Sequence, residues 1–266
     1  MPAISVFESR VHTPAGQLFV KRWRPHNNAE TTIAPIILLH DSLGSVALWR
    51  DFPEQLAQAT GREVIAYDRL GFGASDPYPG AIATSFIRDE ARHGFAAVCE
   101  QLALEKFILF GHSVGGAMAS ICAATYPDRC LALITESAQA FVEECTREGI
   151  RTAKAMFDQP GQIDRLKKYH GEKAQWVLNS WVNTWLSSGF DDWNIDADLA
   201  HVRCPLLSIH GEEDEYGSEQ QPRRYTSMVS GVSTLCLLPA CGHVPHREMA
   251  ETVLSSVADF LQQHLH

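Results

Sequence analysis

Three short runs constrain this chain more than anything else in it. "PIILLH" (35–40), "EVIAYD" (63–68) and "KFILF" (106–110) are apolar at consecutive positions, not at alternate ones. A strand of that kind has to bury both faces, which is the situation of a parallel strand in a sheet covered by helices on either side. Helical patterns separate the runs: one at about 46–60, closed by Gly61, and a longer amphipathic one over 84–104. Residues 114–126 read as a helix stopped by Pro127. "LALIT" (131–135), "PLLSIH" (205–210) and "TLCLLP" (234–239) continue the strands, and a last helix is expected near 248–263. "LFVKRWR" (18–24) alternates instead, and predicts an antiparallel strand near an edge. The sum is an α/β chain with a mostly parallel sheet and helices on both faces, in which ligands bind beyond the C-terminal ends of the strands.

One region departs from the alternation. Residues 138–200 show helical periodicity without a strand, with Val177, Trp181 and Trp185 four apart. They are expected to form a helical cap inserted between two strands, over a core made of 1–137 and 201–266. Trp176, Trp181, Trp185, Trp193, Phe141 and Phe157 are candidates to line an apolar substrate pocket beneath it, against the alternative that they only pack cap to core. Arg147, Arg151, Lys154 and Arg165 read as solvated helix faces, although one turned inward would meet a substrate carboxylate.

The stretch after "KFILF" carries the chemistry. "GHSVGG" (111–116) places Ser113 between glycines at the junction of a strand and a helix. A lone GxSxG is a weak signal, and a serine there can simply cap a helix. At a strand-to-helix turn, though, glycines let the two elements close around an exposed, strained nucleophile. A serine hydroxyl needs a base. His243, on the short loop "LLPACGHVPHRE" after the last strand, is the candidate, with His246 as its rival or as a cap of the following helix. His40 and His210, at strand ends, read as structural, and His112 is expected to point away from the serine. The acid that orients the base comes from "PLLSIHGEEDEYG". Asp214 is chosen there, with Glu136 at the end of the preceding strand as the alternative. The backbone amides of Val114 and Ser42 are the expected oxyanion donors.

Taken with "LLHDSLGSVALW" and "YDRLGFGASD", these motifs resemble the α/β-hydrolase superfamily over nearly the whole chain. "DSLGS" is closer to the oxyanion loop of enol-lactone hydrolases than to the HGGG loop of lipases. The resemblance implies a Ser-Asp-His hydrolase with an eight-stranded core and a helical lid, needing no metal or organic cofactor. It sets aside the branches that use an aspartate nucleophile. One departure stands out: Asp41 occupies the usual glycine position of the oxyanion loop, where a carboxylate must face away from the developing negative charge. The leading expectation is cleavage of an ester, lactone or thioester of a small apolar or aromatic acyl group through an acyl-enzyme. The alternatives are a carbon–carbon hydrolase of dienone acids using the same three residues, or a non-catalytic ligand receptor on the same fold.

Composition narrows the setting. A formal net charge of −10 with no compensating basic cluster argues against nucleic acid or an anionic membrane as partner. The expected partner is a small-molecule substrate, met by a monomer or homodimer. No apolar segment approaches membrane-spanning length, and "MPAISVFESRVHTPAG" lacks the pattern of a secretion signal. Seven cysteines without a CxxC pair read as buried apolar residues of a reducing compartment, hence a cytoplasmic protein. His243 and His246 form an HxxH pair, but no carboxylate or cysteine stands at ligand spacing, so no metal site is expected.

Overall fold

The computed structural model describes residues 3–26 and 33–265. Eight strands form one sheet: β1 (Ile4–Thr13), β2 (Gly16–Pro25), β3 (Ile36–Leu39), β4 (Val64–Tyr67), β5 (Phe107–His112), β6 (Cys130–Glu136), β7 (Leu206–Gly211) and β8 (Ser233–Leu238). Their spatial order is β1-β2-β4-β3-β5-β6-β7-β8. The first two are antiparallel to each other and β2 is antiparallel to β4, while every pair from β4 to β8 is parallel.

The continuously apolar runs do what their composition requires. In β3, Ile37 and Leu39 face one core and Ile36 and Leu38 the other; in β5, Phe107 and Leu109 oppose Ile108 and Phe110 in the same way. On one face lie α2 (Phe86–Glu90), α3 (Gly94–Gln101) and α4 (Val114–Thr125), through Ile87, Phe95 and Ala117. On the other lie α1 (Phe52–Thr60) and α11 (Ala250–His264), through Leu56, Val257 and Phe260. Between β6 and β7 come α5 (Glu144–Phe157), α6 (Asp164–His170), α7 (Ala174–Trp185) and α8 (Asp196–Leu199). Next, α9 (Gln220–Met228) joins β7 to β8, and α10 (Pro245–Glu248) precedes α11. No helix among the described residues is long and apolar enough to cross a membrane.

Two local expectations are corrected. The helix expected over 46–60 is a 3-10 turn, Val46–Trp49, followed by α1, with Arg50 at φ +53° between them. Pro53 has no amide to donate and suits only a first helical turn, so the helix starts there. The pattern over 84–104 divides into α2 and α3, where Glu90 turns inward to accept the Tyr67 hydroxyl at 2.7 Å. The alternating run 18–24 lies in β2, antiparallel and one strand in from the edge as expected, with β1 covering its outer side.

Candidate active site

Ser113 sits between the last residue of β5 and the first of α4, with φ +57° and ψ −127°. A non-glycine residue at positive φ is strained, and the strain persists only where the surroundings impose it. Here the Ser113 amide donates to the Glu136 carbonyl at 2.9 Å, while Gly115 packs so closely on the Leu39 carbonyl that a β-carbon would collide with it. The side chain stands at the start of a twelve-residue helix whose first amides are free of intrahelical partners.

Asp214 and His243 come from the turns after β7 and β8. Both carboxylate oxygens of Asp214 lie 2.9 Å from His243 Nδ1, and Oδ1 also accepts the Tyr216 amide at 2.8 Å. The Asp214 side chain is wholly buried. Burial alone would push the His243 pKa down, but the Asp214 charge and hydrogen bond, with Glu215 and Asp41 nearby, hold it above its ordinary value. The Asp214 carboxyl is correspondingly held low: burial opposes ionisation, and His243, His210 and the Tyr216 amide outweigh it. Tyr216 covers the imidazole at 4.7 Å between ring centres. His112 points away from the serine and donates Nε2–H to the His243 carbonyl at 2.8 Å, tying the histidine loop to the elbow. Ser113 Oγ itself donates to Gln139 Oε1 at 3.2 Å.

Glu136 and His246, the alternative acid and base, pair with each other. His246 Nδ1 lies 2.6 Å from Glu136 Oε2, both side chains are buried, and the imidazole packs against Trp49 and Phe52. His246 therefore does not serve as a helix cap. Glu136 Oε1 has no hydrogen-bond partner among the described residues. Burial opposes its ionisation, but His246 and His112 bring the Glu136 carboxyl below its ordinary range, while burial pushes His112 down to about 4. His112, Glu136 and His246 each bring one potential metal-donor atom within 4.8 Å of the others.

A cavity of about 350 Å³ opens over Ser113 and His243. Asp41, Ser42 and Leu43 line it together with Trp181, Trp185 and Phe157, and Gln139 and Tyr216 also face it. Trp176 and Phe141 are not among its walls. Trp176 stacks on Tyr78 and donates Nε1–H to the Gly80 carbonyl, and Phe141 lies under the Arg224 guanidinium. Trp193 stacks on Phe190. Arg147, Arg151 and Lys154 pair with Asp191, Glu144 and Asp158, whereas Arg165 reaches the cavity rim.

Asp41 lines the cavity, but its carboxylate packs back against Gly44 of the same loop, where a β-carbon would collide with Oδ1. Burial works against its charge, but His112, His40, His243 and Arg247 keep its carboxyl below the usual carboxylate range. The Asp41 carbonyl accepts Arg69 Nη2 at 2.7 Å and His40 Nδ1 at 2.8 Å, and His170 Nε2 holds the Leu43 carbonyl at 2.9 Å. His210 donates Nε2–H to the Gly217 carbonyl, a structural role like that of His40. Four participants carried no sequence signal for their contacts: Gln139, Tyr216, His170 and Arg69.

Comparison with known proteins places the chain among relatives. The alpha/beta hydrolase fold model matches residues 34–166. The human serine hydrolase BPHL is 28% identical over 85% of this chain and 79% of its own length. A proline iminopeptidase of Lactobacillus helveticus is 23% identical over 86% of this chain and 90% of its own. Among solved structures, the enol-lactonase of Burkholderia xenovorans LB400 superposes with a TM-score of 0.72 at 19% identity, covering 96% of this chain and all of the other. The 2-hydroxy-6-oxo-6-phenylhexa-2,4-dienoate hydrolase of Rhodococcus sp. strain RHA1 superposes with a TM-score of 0.77 at 16% identity, covering 98% and 100%.

Proposed function

The chain belongs to the α/β-hydrolase fold family, and on that footing we propose that it is a serine hydrolase cleaving an ester, lactone or thioester of a small acyl substrate. The observation that carries this reading is the Asp214–His243 pair, with both carboxylate oxygens at 2.9 Å, opening onto the same cavity as a positive-φ serine.

His243 Nδ1 is committed to Asp214, which leaves Nε2 for the nucleophile. In the proposed reaction Ser113 Oγ turns from Gln139 to His243, gives up its proton to Nε2 and bonds to the substrate carbonyl carbon. Asp214 stabilises the imidazolium that results. The carbonyl electrons move onto oxygen, where the amides of Val114 and Ser42 receive the charge. The peptide plane of Asp41–Ser42 supports that role: its carbonyl is held by Arg69 and His40, so in a trans peptide the Ser42 N–H is directed the opposite way. The tetrahedral species collapses as His243 protonates the leaving oxygen or sulfur. Water, deprotonated by His243, then releases the acid and restores Ser113.

Residues 138–200 act in this proposal as a cap whose Trp181, Trp185 and Phe157 wall the acyl site; the apolar surface there suits a hydrocarbon or aromatic acyl group. The seven cysteines are all free, in keeping with a cytoplasmic setting.

Rapid mixing with activated esters of graded acyl length tests the reading. A burst of alcohol equal to the enzyme, followed by slower turnover, is expected. Turnover of a vinylogous diketone with no burst on any ester would replace it with carbon–carbon hydrolysis, and tight binding of both without turnover would leave a receptor.

A further inference from the structure

We propose that Gln139 gates the nucleophile and selects acyl groups that carry a hydroxyl on the carbon next to the scissile carbonyl. This rests on the serine-hydrolase reading above.

The contact is built by the fold. Gln139 is 4% exposed, and its side-chain oxygen accepts the Ser113 hydroxyl at 3.2 Å. The turn that delivers it begins with Ser137 at φ +46°, a second strained non-glycine residue within the site. Three backbone groups in that turn are tied down. The Ser137 amide donates to the Ile209 carbonyl at 2.9 Å, the Gln139 carbonyl accepts the Tyr225 hydroxyl at 3.0 Å, and the Ala140 amide donates to Gln221 Oε1 at 2.7 Å. Ala138 lies so close to Gly116 in α4 that a β-carbon on Gly116 would fall within 3.0 Å of the Ala138 methyl. The two strained residues, 113 and 137, are therefore locked against each other, and the carboxamide is aimed at Oγ.

Two consequences follow from that placement. While the hydroxyl donates to Gln139 it does not donate to His243, so the resting nucleophile is held off its base. A group within hydrogen-bond reach of Oγ is also within reach of a substituent one bond from the carbon that Oγ attacks. A carboxamide offers both a donor and an acceptor there, which a hydroxyl complements at both its hydrogen and its oxygen. Such a substrate takes over the amide and releases the serine to His243, while with an unsubstituted acyl chain the Ser113–Gln139 bond must be broken without replacement, which slows attack.

The test compares Gln139→Leu and Gln139→Glu with the wild type, using phosphonylation by a small alkyl fluorophosphonate that has no such hydroxyl. Leucine keeps the volume and removes the acceptor, so labelling is expected to speed up about threefold to tenfold, the net worth of one neutral hydrogen bond. Glutamate holds the hydroxyl through a charge-assisted bond, so labelling is expected to slow. In parallel, kcat/KM is measured for paired p-nitrophenyl esters with and without the 2-hydroxyl. The wild type is expected to prefer the hydroxylated ester about tenfold or more, and Gln139→Leu to lose the preference. Unchanged labelling in Gln139→Leu, or an undiminished preference, overturns the proposal. If Gln139→Leu fails to fold, labelling by Gln139→Glu that is as fast as the wild type overturns it instead. A wild-type enzyme that takes no label at Ser113 refutes the serine-hydrolase reading and not the gate alone.

Discussion

Gly116→Ala puts the packing around the nucleophile to a direct test. The new methyl would stand within 3.0 Å of the Ala138 methyl, where carbon atoms in contact ordinarily keep about 3.5–4.0 Å. The start of α4 and the turn leaving β6 must therefore separate by more than an ångström. Neither can give way easily, because Ser113 N is bonded to the Glu136 carbonyl and Ser137 N to the Ile209 carbonyl. Overpacking of this kind costs about 1–3 kcal/mol. At this chain length each kcal/mol lowers Tm by about 2–4 °C. The larger effect falls on catalysis, since the shift moves Ser113 relative to His243 and a displacement near 1 Å can cost about 10²-fold. The measurement is kcat/KM on an activated ester together with calorimetric Tm. A second substitution identifies the cause. In Gly116→Ala/Ala138→Gly the offending methyl is gone, and the nearest remaining neighbours, the Gly111 carbonyl oxygen at 3.1 Å and the residue-138 α-carbon at 3.4 Å, need only small adjustments. The double variant is expected to recover most of the lost activity. Full activity in Gly116→Ala, or no recovery in the double variant, would refute the reasoning.

Two further outcomes follow from the charges. Asp214→Asn removes the carboxylate that keeps the His243 pKa up, and kcat/KM is expected to fall by about 10⁴-fold. Neutral His243 is the active base, so wild-type activity falls as pH drops through a value above the ordinary histidine pKa of about 6.5, and in Asp214→Asn that limb moves to lower pH. Glu136→Leu strands the buried His246 Nδ1–H and is expected to cost about 3–5 kcal/mol in denaturant unfolding. Glu136→Gln keeps an acceptor and costs about 1–3 kcal/mol. The folded-state pKa of Glu136 is depressed, so its contribution is complete above the unfolded value of about 4.3 and fades as pH falls through the folded one; the gap between wild type and Glu136→Gln narrows accordingly in acid.

What could be read from the chain follows from how each signal arises. The parallel strands were legible because burial on two faces leaves consecutive apolar letters, as in Ile36–Leu39 and Phe107–Phe110. Strand β1 was not, because Val11 is its one fully buried residue and an outer edge strand imposes little pattern. Ser113, Asp214 and His243 are legible as candidates because each follows a strand in a set chain order. Chain order also suggested Glu136 and His246, but only as substitutes for Asp214 and His243. Three dimensions show them joined to each other: Glu136 ends β6 beside His112, and His246 stands on α10 over Trp49 and Phe52. Among the tryptophans, the four-residue stripe of Val177, Trp181 and Trp185 reports one helix face, and Trp181 and Trp185 reach the cavity. Trp176 lies one residue, about 100°, off that stripe and turns to Tyr78 instead. Gln139 reaches Ser113 through a positive φ at Ser137 and a methyl-to-glycine contact, and neither leaves a mark in the spelling of "ESAQAF".

The most direct measurement of the central claim is peptide mapping after exposure of the folded protein to a fluorophosphonate probe. The account predicts one adduct per chain, on the peptide bearing Ser113, absent from Ser113→Ala and strongly slowed in a His243→Ala variant that keeps the wild-type Tm. An adduct that persists in Ser113→Ala, or one that forms at the wild-type rate without His243, would contradict it.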